Sequence, residues 1–358
     1  MQVFDYSTPF PSRRSPVIAR RGMVATSHPL AAKAGLRMIQ EGGNAVDAAV
    51  ATAAALTVLE PTSNGIGSDA FALVWADGKL HGLNASGRAP KNLSRELIVR
   101  QGHTSMPTTG WLSVTVPGAV SAWRALLERF GSMPMTKVLE PAIYYAEHGF
   151  PVQPVIALHW ERAAQRLGHF RTFADAFLPE GRAPQAGEIF RFPDQGRTLR
   201  LIAESNGEEF YRGSIAERIA KFAESTGGLL TREDLAAHAP EWVEPVKTVY
   251  KGYEVWEIPP NTQGIVALMA LNILGEDDFK SLPRLGAEVV HLIAEALKLA
   301  FADAYEHIAD PAWMRVRVEE LLSEAYARER RAQIRSGAAD PSPTPGLPRP
   351  GGTVYLAA

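Results

Sequence analysis

Thr353 has the most distinctive chemical setting in the 358-residue chain. It follows PSPTPGLPRPGG, a twelve-residue run with five prolines and three glycines. A threonine hydroxyl is a weak nucleophile at its ordinary pKa and needs an adjacent base. Its own α-amino group, with a pKa near ~8, can serve, but only if threonine is the first residue of a chain. The Gly352–Thr353 bond would then have to be cut. The hydroxyl can start that cut by attacking the preceding carbonyl, giving an ester that water hydrolyses. Glycine at 352 leaves that carbonyl open to attack. The Pro/Gly run, residues 341–352, reads as a linker that lets the new terminus separate. Val354-Tyr355-Leu356-Ala357-Ala358 reads as the start of an apolar strand that would hold the nucleophile rigidly. Two readings of this end stand side by side: a truncated sequence, or a segment that begins at Thr353.

Other chemistries find less support. The nine histidines are scattered, with no His-x-x-x-His pair beside a helical Glu, so no metal site is expected. Gly65-x-Gly67 lacks a third glycine and follows a helical pattern instead of preceding one. Thr262-Gln263-Gly264 has no Walker lysine. Nucleotide binding and other cofactors are therefore not expected. Ser86 has a glycine on one side only and is no nucleophile elbow. The absence of cysteine excludes disulfides and thiol catalysis. A net charge of -2 gives no footprint for nucleic acid. Arg88, in Ser86-Gly87-Arg88-Ala89-Pro90, can be read two ways: a guanidinium fork for a carboxylate, or a surface arginine in a salt bridge.

The elements that must position these residues are partly visible. Leu30, Ala34 and Met38 recur on one helical face after Pro29, and Gly42-Gly43 ends that helix. Asn44 with Asp47 forms a relative of the capping box at the start of an alanine-lined second arm, which Pro61 bounds. Phe71 to Trp75 predicts a strand covered on both faces. Asp77-Gly78 predicts a type I′ hairpin, with Lys79 to Leu83 returning. Val120, Trp123, Leu127 and Phe130 predict a helix stopped by Gly131, and residues 134–222 read as mixed and mostly helical. Thr231 is expected to cap a helix, and Tyr250 to Glu257 to form one strand before a Pro-Pro-Asn-Thr-Gln-Gly loop. Val290, Ile293, Leu297, Phe301 and Ala304 predict the apolar face of an amphipathic helix. The longest apolar run, Ala48 to Leu59, is too short to span a membrane. The N-terminus carries no signal-peptide pattern, so a cytoplasmic location without membrane attachment is expected.

Several segments resemble the γ-glutamyltransferase family, in family order. They are GMVATSHPLAAKAGLRMIQEGGNAVDAAVATAAALTVLEP, LNASGRAP, VPGAVSAW, AEHGFPV, GGLLTREDLAAHAPEWVEPV and HLIAEALKLAFADAYEHIADP. Together with Gly352-Thr353 they cover nearly the whole chain. The resemblance implies an α+β, N-terminal-nucleophile hydrolase fold, a four-layer αββα sandwich that is incomplete without the small subunit. It implies a precursor that cuts itself into a large and a small subunit. The new N-terminal threonine then takes a γ-glutamyl group from glutathione or a related amide and passes it to water, an amino acid or a peptide. On that basis Thr353 matches the nucleophile, Gly352 the residue before the cut, and Arg88 the arginine that holds the donor's α-carboxylate. Residues 1–340 would be the large-subunit region, 341–352 the linker, and 353–358 the start of the small subunit.

Three departures leave the donor open. Val354 and Tyr355 replace the family's Thr and His, Gly65-Ile66-Gly67-Ser68-Asp69 replaces a longer glycine run, and Ile258-Pro259-Pro260-Asn261-Thr262-Gln263-Gly264 replaces a serine-rich loop. They resemble a γ-glutamyltransferase-like or cephalosporin acylase-like branch, so a glutaryl-type acylase is the alternative. An inactive fragment lacking the small subunit is the other.

Overall fold

A computed structural model describes residues 16–284 and 286–346. Gly352, Thr353 and the strand expected from Val354 lie outside the described residues. The chain divides into two units: Met1–Ser68 with Arg88–His238, and Asp69–Gly87 with Ala239–Ala358.

The first unit is built on the predicted helical hairpin. Helix α1 (Pro29–Gln40) starts with Pro29 in its first turn, and His28 caps it: Nδ1 accepts the Leu30 N–H at 3.1 Å. Helix α2 (Ala45–Leu59) starts in a full capping box. Asn44 Oδ1 accepts the N–H groups of Val46 and Asp47, and Asp47 Oδ2 accepts the Asn44 N–H at 2.8 Å. Ala48, Ala51, Ala54 and Ala55 are buried. The two helices approach so closely that a Cβ on Gly35 would stand 2.2 Å from Thr52 Oγ1. Helix α3 (Ala119–Phe130) ends at Gly131 as expected and buries Val120, Trp123 and Leu127. With α4 (Glu140–His148) it packs on α2, and α5 (Pro193–Glu204) packs on α4. Thr231 caps the short helix α6 (Arg232–Ala236) in a second capping box.

The second unit holds an antiparallel sheet in which β2 (Lys79–Ala85) lies between β1 (Ala70–Ala76) and β3 (Glu241–Val243). The β1–β2 turn has φ of 51° at Asp77 and 76° at Gly78, the positive pair that a type I′ turn requires. Strand β1 differs from the prediction. The pleat puts Phe71, Leu73 and Trp75 on one face, and all three are exposed, Trp75 at 70%. The segment 250–257 also differs. It is a hairpin of β4 (Val246–Tyr250) and β5 (Tyr253–Glu257), turned at Lys251 (φ 50°) and Gly252 (φ 86°). Tyr253–Glu257 is strand as expected, and Lys251-Gly252 carried the turn signal that the one-strand reading passed over.

Helices α7 (Gly264–Ile273), α8 (Ala287–His307) and α9 (Glu324–Arg331) complete this unit. Ile265, Val266, Met269, Ala270, Ala300, Ala304, Leu321 and Tyr326 form one buried cluster. The predicted helix at α8 is present, but its buried face is rotated from the expected one. Ala304 is buried as expected, together with Leu292, Glu295, Ala296, Leu299, Ala300 and Asp303, whereas Val290 is 54% and Ile293 41% exposed. Two carboxylates on the inner face hid it from a search for apolar periodicity. The outer stripe of Ile293 and Leu297 instead lines a groove of about 760 Å³ with Tyr250, Leu271, Leu274 and Phe279. Among the described residues no helix is long and apolar enough to cross a membrane.

Candidate functional site

Arg88 follows strand β2 through Gly87, whose φ of 77° suits a residue without a side chain. Its backbone carbonyl accepts the Val116 N–H at 2.9 Å, which fixes the start of the loop. Within the first unit Arg88 lines a cavity of about 400 Å³ with Lys91, Val116, Glu233, Asp234 and His238. Residues that carry a guanidinium, an ammonium, two carboxyls and an imidazole therefore line one small space, most of whose exposed wall is apolar.

Capping chemistry sets the acidic wall. Asp234 is the third residue of α6, where its Oδ2 accepts the Thr231 N–H at 2.9 Å and the Thr231 hydroxyl at 2.8 Å. Its Oδ1 accepts the Lys91 N–H at 2.9 Å, so the same carboxylate ties α6 to the segment just after Arg88. Burial alone would raise its pKa. The backbone N–H groups of Lys91 and Thr231 and the Thr231 hydroxyl outweigh that and hold it below the ordinary value.

His238, buried at the end of the same wall, heads a polar group that the sequence did not announce. Its Nε2 lies 2.8 Å from Ser121 Oγ. The Ser121 hydroxyl donates to the Gly118 carbonyl at 2.7 Å, so His238 is the donor in this pair. The Tyr211 hydroxyl accepts the Ser121 N–H at 3.0 Å and donates to the Pro117 carbonyl at 2.8 Å. Its ring stacks on His238 with centroids 5.2 Å apart. Burial pushes the Tyr211 phenol up to about 12. With its proton committed to a carbonyl, Ser121 is no activated nucleophile. The group braces the first turn of α3 against the cavity wall. The only sequence signals were a serine in that turn and a histidine just past a capped helix.

The other singled-out segments have structural roles. In Gly65-Ile66-Gly67-Ser68 the Ser68 N–H and hydroxyl both donate to the Gly65 carbonyl, closing a turn, and the Ser68 carbonyl accepts from Gly118 and Ala119 at the start of α3. In the second unit, Asn84 Nδ2 donates to Asn261 Oδ1 at 2.8 Å and Asn261 Nδ2 donates to Ser86 Oγ at 3.1 Å. Asn84 Oδ1 accepts the Ser86 N–H at 3.0 Å. These bonds join the end of β2 to the loop that contains Pro259-Pro260. Among the described residues no group of three or more His, Cys, Asp or Glu side chains is placed to hold a metal. Gly352 and Thr353 lie outside the described residues, so the structure places Arg88 and leaves the expected nucleophile unplaced.

Three comparisons set this geometry among known proteins. The family described as gamma-glutamyltranspeptidase matches residues 31–358. The chain is 39% identical over 321 residues to the glutathione hydrolase-like YwrD proenzyme of Bacillus subtilis (strain 168), covering 89% of this chain and 61% of that protein. It is 38% identical over 336 residues to the acylase ACY 1 proenzyme of Pseudomonas sp. (strain SE83), covering 91% of this chain and 60% of that one. The crystal structure of cephalosporin acylase from Bacillus halodurans superposes with a TM-score of 0.90 at 52% identity, over 97% of this chain and 65% of that chain. The chain thus spans about three fifths of the length of the curated relatives it matches.

Proposed function

The chain belongs to the gamma-glutamyltranspeptidase family and has its α+β, N-terminal-nucleophile hydrolase fold, and from that premise we propose that it is part of a self-cleaving acyl-transfer enzyme. Residues up to Gly352 serve as the large-subunit part. Thr353 begins the small-subunit part and is the nucleophile. The observation that carries the reading is the family match itself, whose span, residues 31–358, includes Gly352 and Thr353.

The chemistry has two stages. In the precursor, Thr353 Oγ attacks the Gly352 carbonyl, and the peptide C–N bond breaks as the Gly352–O ester forms. Water hydrolyses that ester, leaving a carboxylate on Gly352 and a free α-amine on Thr353. In the cleaved enzyme that amine takes the proton from Oγ as Oγ attacks the donor's side-chain amide carbonyl. The amine of the donor leaves with the proton, and an acyl ester remains on Thr353. Water, an amino acid or a peptide then attacks the ester and restores the hydroxyl. Arg88 holds the donor's distal carboxylate, for which the guanidinium fork and its place on the cavity wall are suited.

The donor is a γ-glutamyl compound such as glutathione. A glutaryl-type amide, the same acid without its α-amino group, is the second reading, favoured by the likeness to the cephalosporin acylase. Both keep the carboxylate that Arg88 would bind, so the α-amino group decides between them. The test is turnover of γ-glutamyl against glutaryl anilides by the cleaved enzyme. A higher kcat/KM for the γ-glutamyl anilide supports the first reading. The reverse order supports the acylase, and turnover of neither contradicts both.

A further inference from the structure

We propose that the buried ion pair Asp303–Arg330 is a latch that anchors the chain just ahead of Gly352–Thr353 and positions that bond for self-cleavage. The proposal rests on the self-cleavage reading above. Asp303 and Arg330 are each 1% exposed, with Oδ1 and Nη2 3.1 Å apart. A buried pair gives little net stability over an apolar replacement, and its best-attested use is to fix register.

What it fixes here is the Pro/Gly run. Asp303 Oδ1 accepts the Gly346 N–H at 2.7 Å, and Arg330 Nη2 donates to the Thr344 carbonyl at 3.0 Å. His307 Nε2 donates to the Gly346 carbonyl at 2.8 Å. Six residues earlier, Glu295 Oε2 accepts the Asp340 N–H at 2.9 Å and Lys298 Nζ donates to the Asp340 carbonyl. Four side chains of α8 and one of α9 thus hold two points of a segment with no helix or strand of its own. All these bonds reach its backbone. The one side-chain requirement is at Gly346, where a Cβ would stand 2.1 Å from Tyr326 Oη and 3.1 Å from Arg330 Cδ. The linker expected to be loose is therefore tied down as far as Gly346.

Only the seven residues from Leu347 to Thr353 remain beyond this anchor, which can extend no further than about 24 Å. Breaking the latch at both Gly346 and the Thr344 carbonyl moves the nearest anchor back to Asp340, and the tether becomes the thirteen residues from Pro341 to Thr353. The local concentration of the Gly352–Thr353 bond beside the folded groups that would orient it falls as the −3/2 power of tether length, about 2.5-fold, and its fixed direction is lost as well. After cleavage the same latch retains the end at Gly352.

The test uses the full-length precursor and two variants, Gly346→Ala and Asp303→Ala, the second of which removes the acceptor shared by Gly346 and Arg330. Hydrogen exchange at the Gly346 amide reads the latch, because the Asp340 amide is held separately by Glu295, and the appearance of cleaved product reads its effect. The expected result is protection in the wild type and loss of protection in the variants. Cleavage then slows at least about 2.5-fold, while turnover per cleaved molecule is unchanged. Adding Tyr326→Leu to Gly346→Ala removes the closest clash and restores part of the cleavage rate, which a general folding defect would not allow. An unprotected amide in the wild type, protection that survives both variants, or release without slower cleavage each overturns the latch. A protected wild-type precursor that never cleaves at Thr353 overturns the self-cleavage reading and the positioning role together, while the anchor itself stands.

Discussion

Replacing Asp47 with alanine removes one carboxylate that serves two segments. The side chain is 0% exposed. It accepts the Asn44 N–H at 2.8 Å, completing the cap of α2. It also accepts the Ser132 N–H at 3.0 Å, the Met133 N–H at 3.2 Å and the Ser132 hydroxyl, holding the turn after α3. Alanine leaves three backbone N–H donors without this partner; a buried orphan costs about 1–3 kcal/mol, and the exposure of Asn44 and Ser132 puts these at the lower end. The Asn44 side chain still caps α2, because its bonds to the Val46 and Asp47 N–H groups do not need the Asp47 side chain. The expected destabilisation is about 3 kcal/mol, more than about a hundredfold in the folded-to-unfolded ratio. Asp47→Asn keeps one acceptor oxygen and should cost about half as much. The assay is urea unfolding followed by tryptophan fluorescence, in which the buried Trp123 of α3 reports on the affected packing. A shift below about 1 kcal/mol for Asp47→Ala would refute the reasoning, because it would mean the orphaned donors find other partners.

Arg88→Lys keeps the charge and loses the fork. The KM for a carboxylate-bearing donor should rise roughly tenfold with little change in self-cleavage, and steady-state kinetics with an unchanged KM would count against the role of Arg88. Burial lowers the His28 pKa from its ordinary 6.5, an effect that Glu60 partly offsets, and Nδ1 is engaged as the cap of α1. The unfolded state therefore takes up a proton first, so this stability is full above 6.5 and is lost as pH falls toward the lowered folded value. The urea midpoint should drop between about pH 7.5 and about pH 5.5 by more in the wild type than in His28→Asn; equal drops would contradict this.

Much of the first unit was legible because its signals are local. Pro29, the Asn44–Asp47 box, Gly131 and the Thr231 cap each satisfy backbone groups within a few residues, and each appears where expected. The failures have three different causes. Asp303 and Glu295 interrupt the apolar pattern of α8 because their partners are residues 340–346, so the inner face was misread. Lys251-Gly252 turned a presumed strand into a hairpin, a signal that the one-strand reading passed over. The polar group at Ser121, Tyr211 and His238 spans 117 residues between its ends and left no local pattern. Arg88 was named from a resemblance, and its place beside Lys91, Asp234 and His238 emerged only from the fold.

The central claim is that Thr353 becomes an N-terminal nucleophile. Its most direct measurement is the N-terminal sequence of the smaller product formed by the full-length precursor, alongside a Thr353→Ala precursor. The account predicts a product that begins at Thr353, and neither cleavage nor turnover in the variant. A product beginning at any other residue, or a Thr353→Ala precursor that still cleaves and turns over substrate, would contradict it.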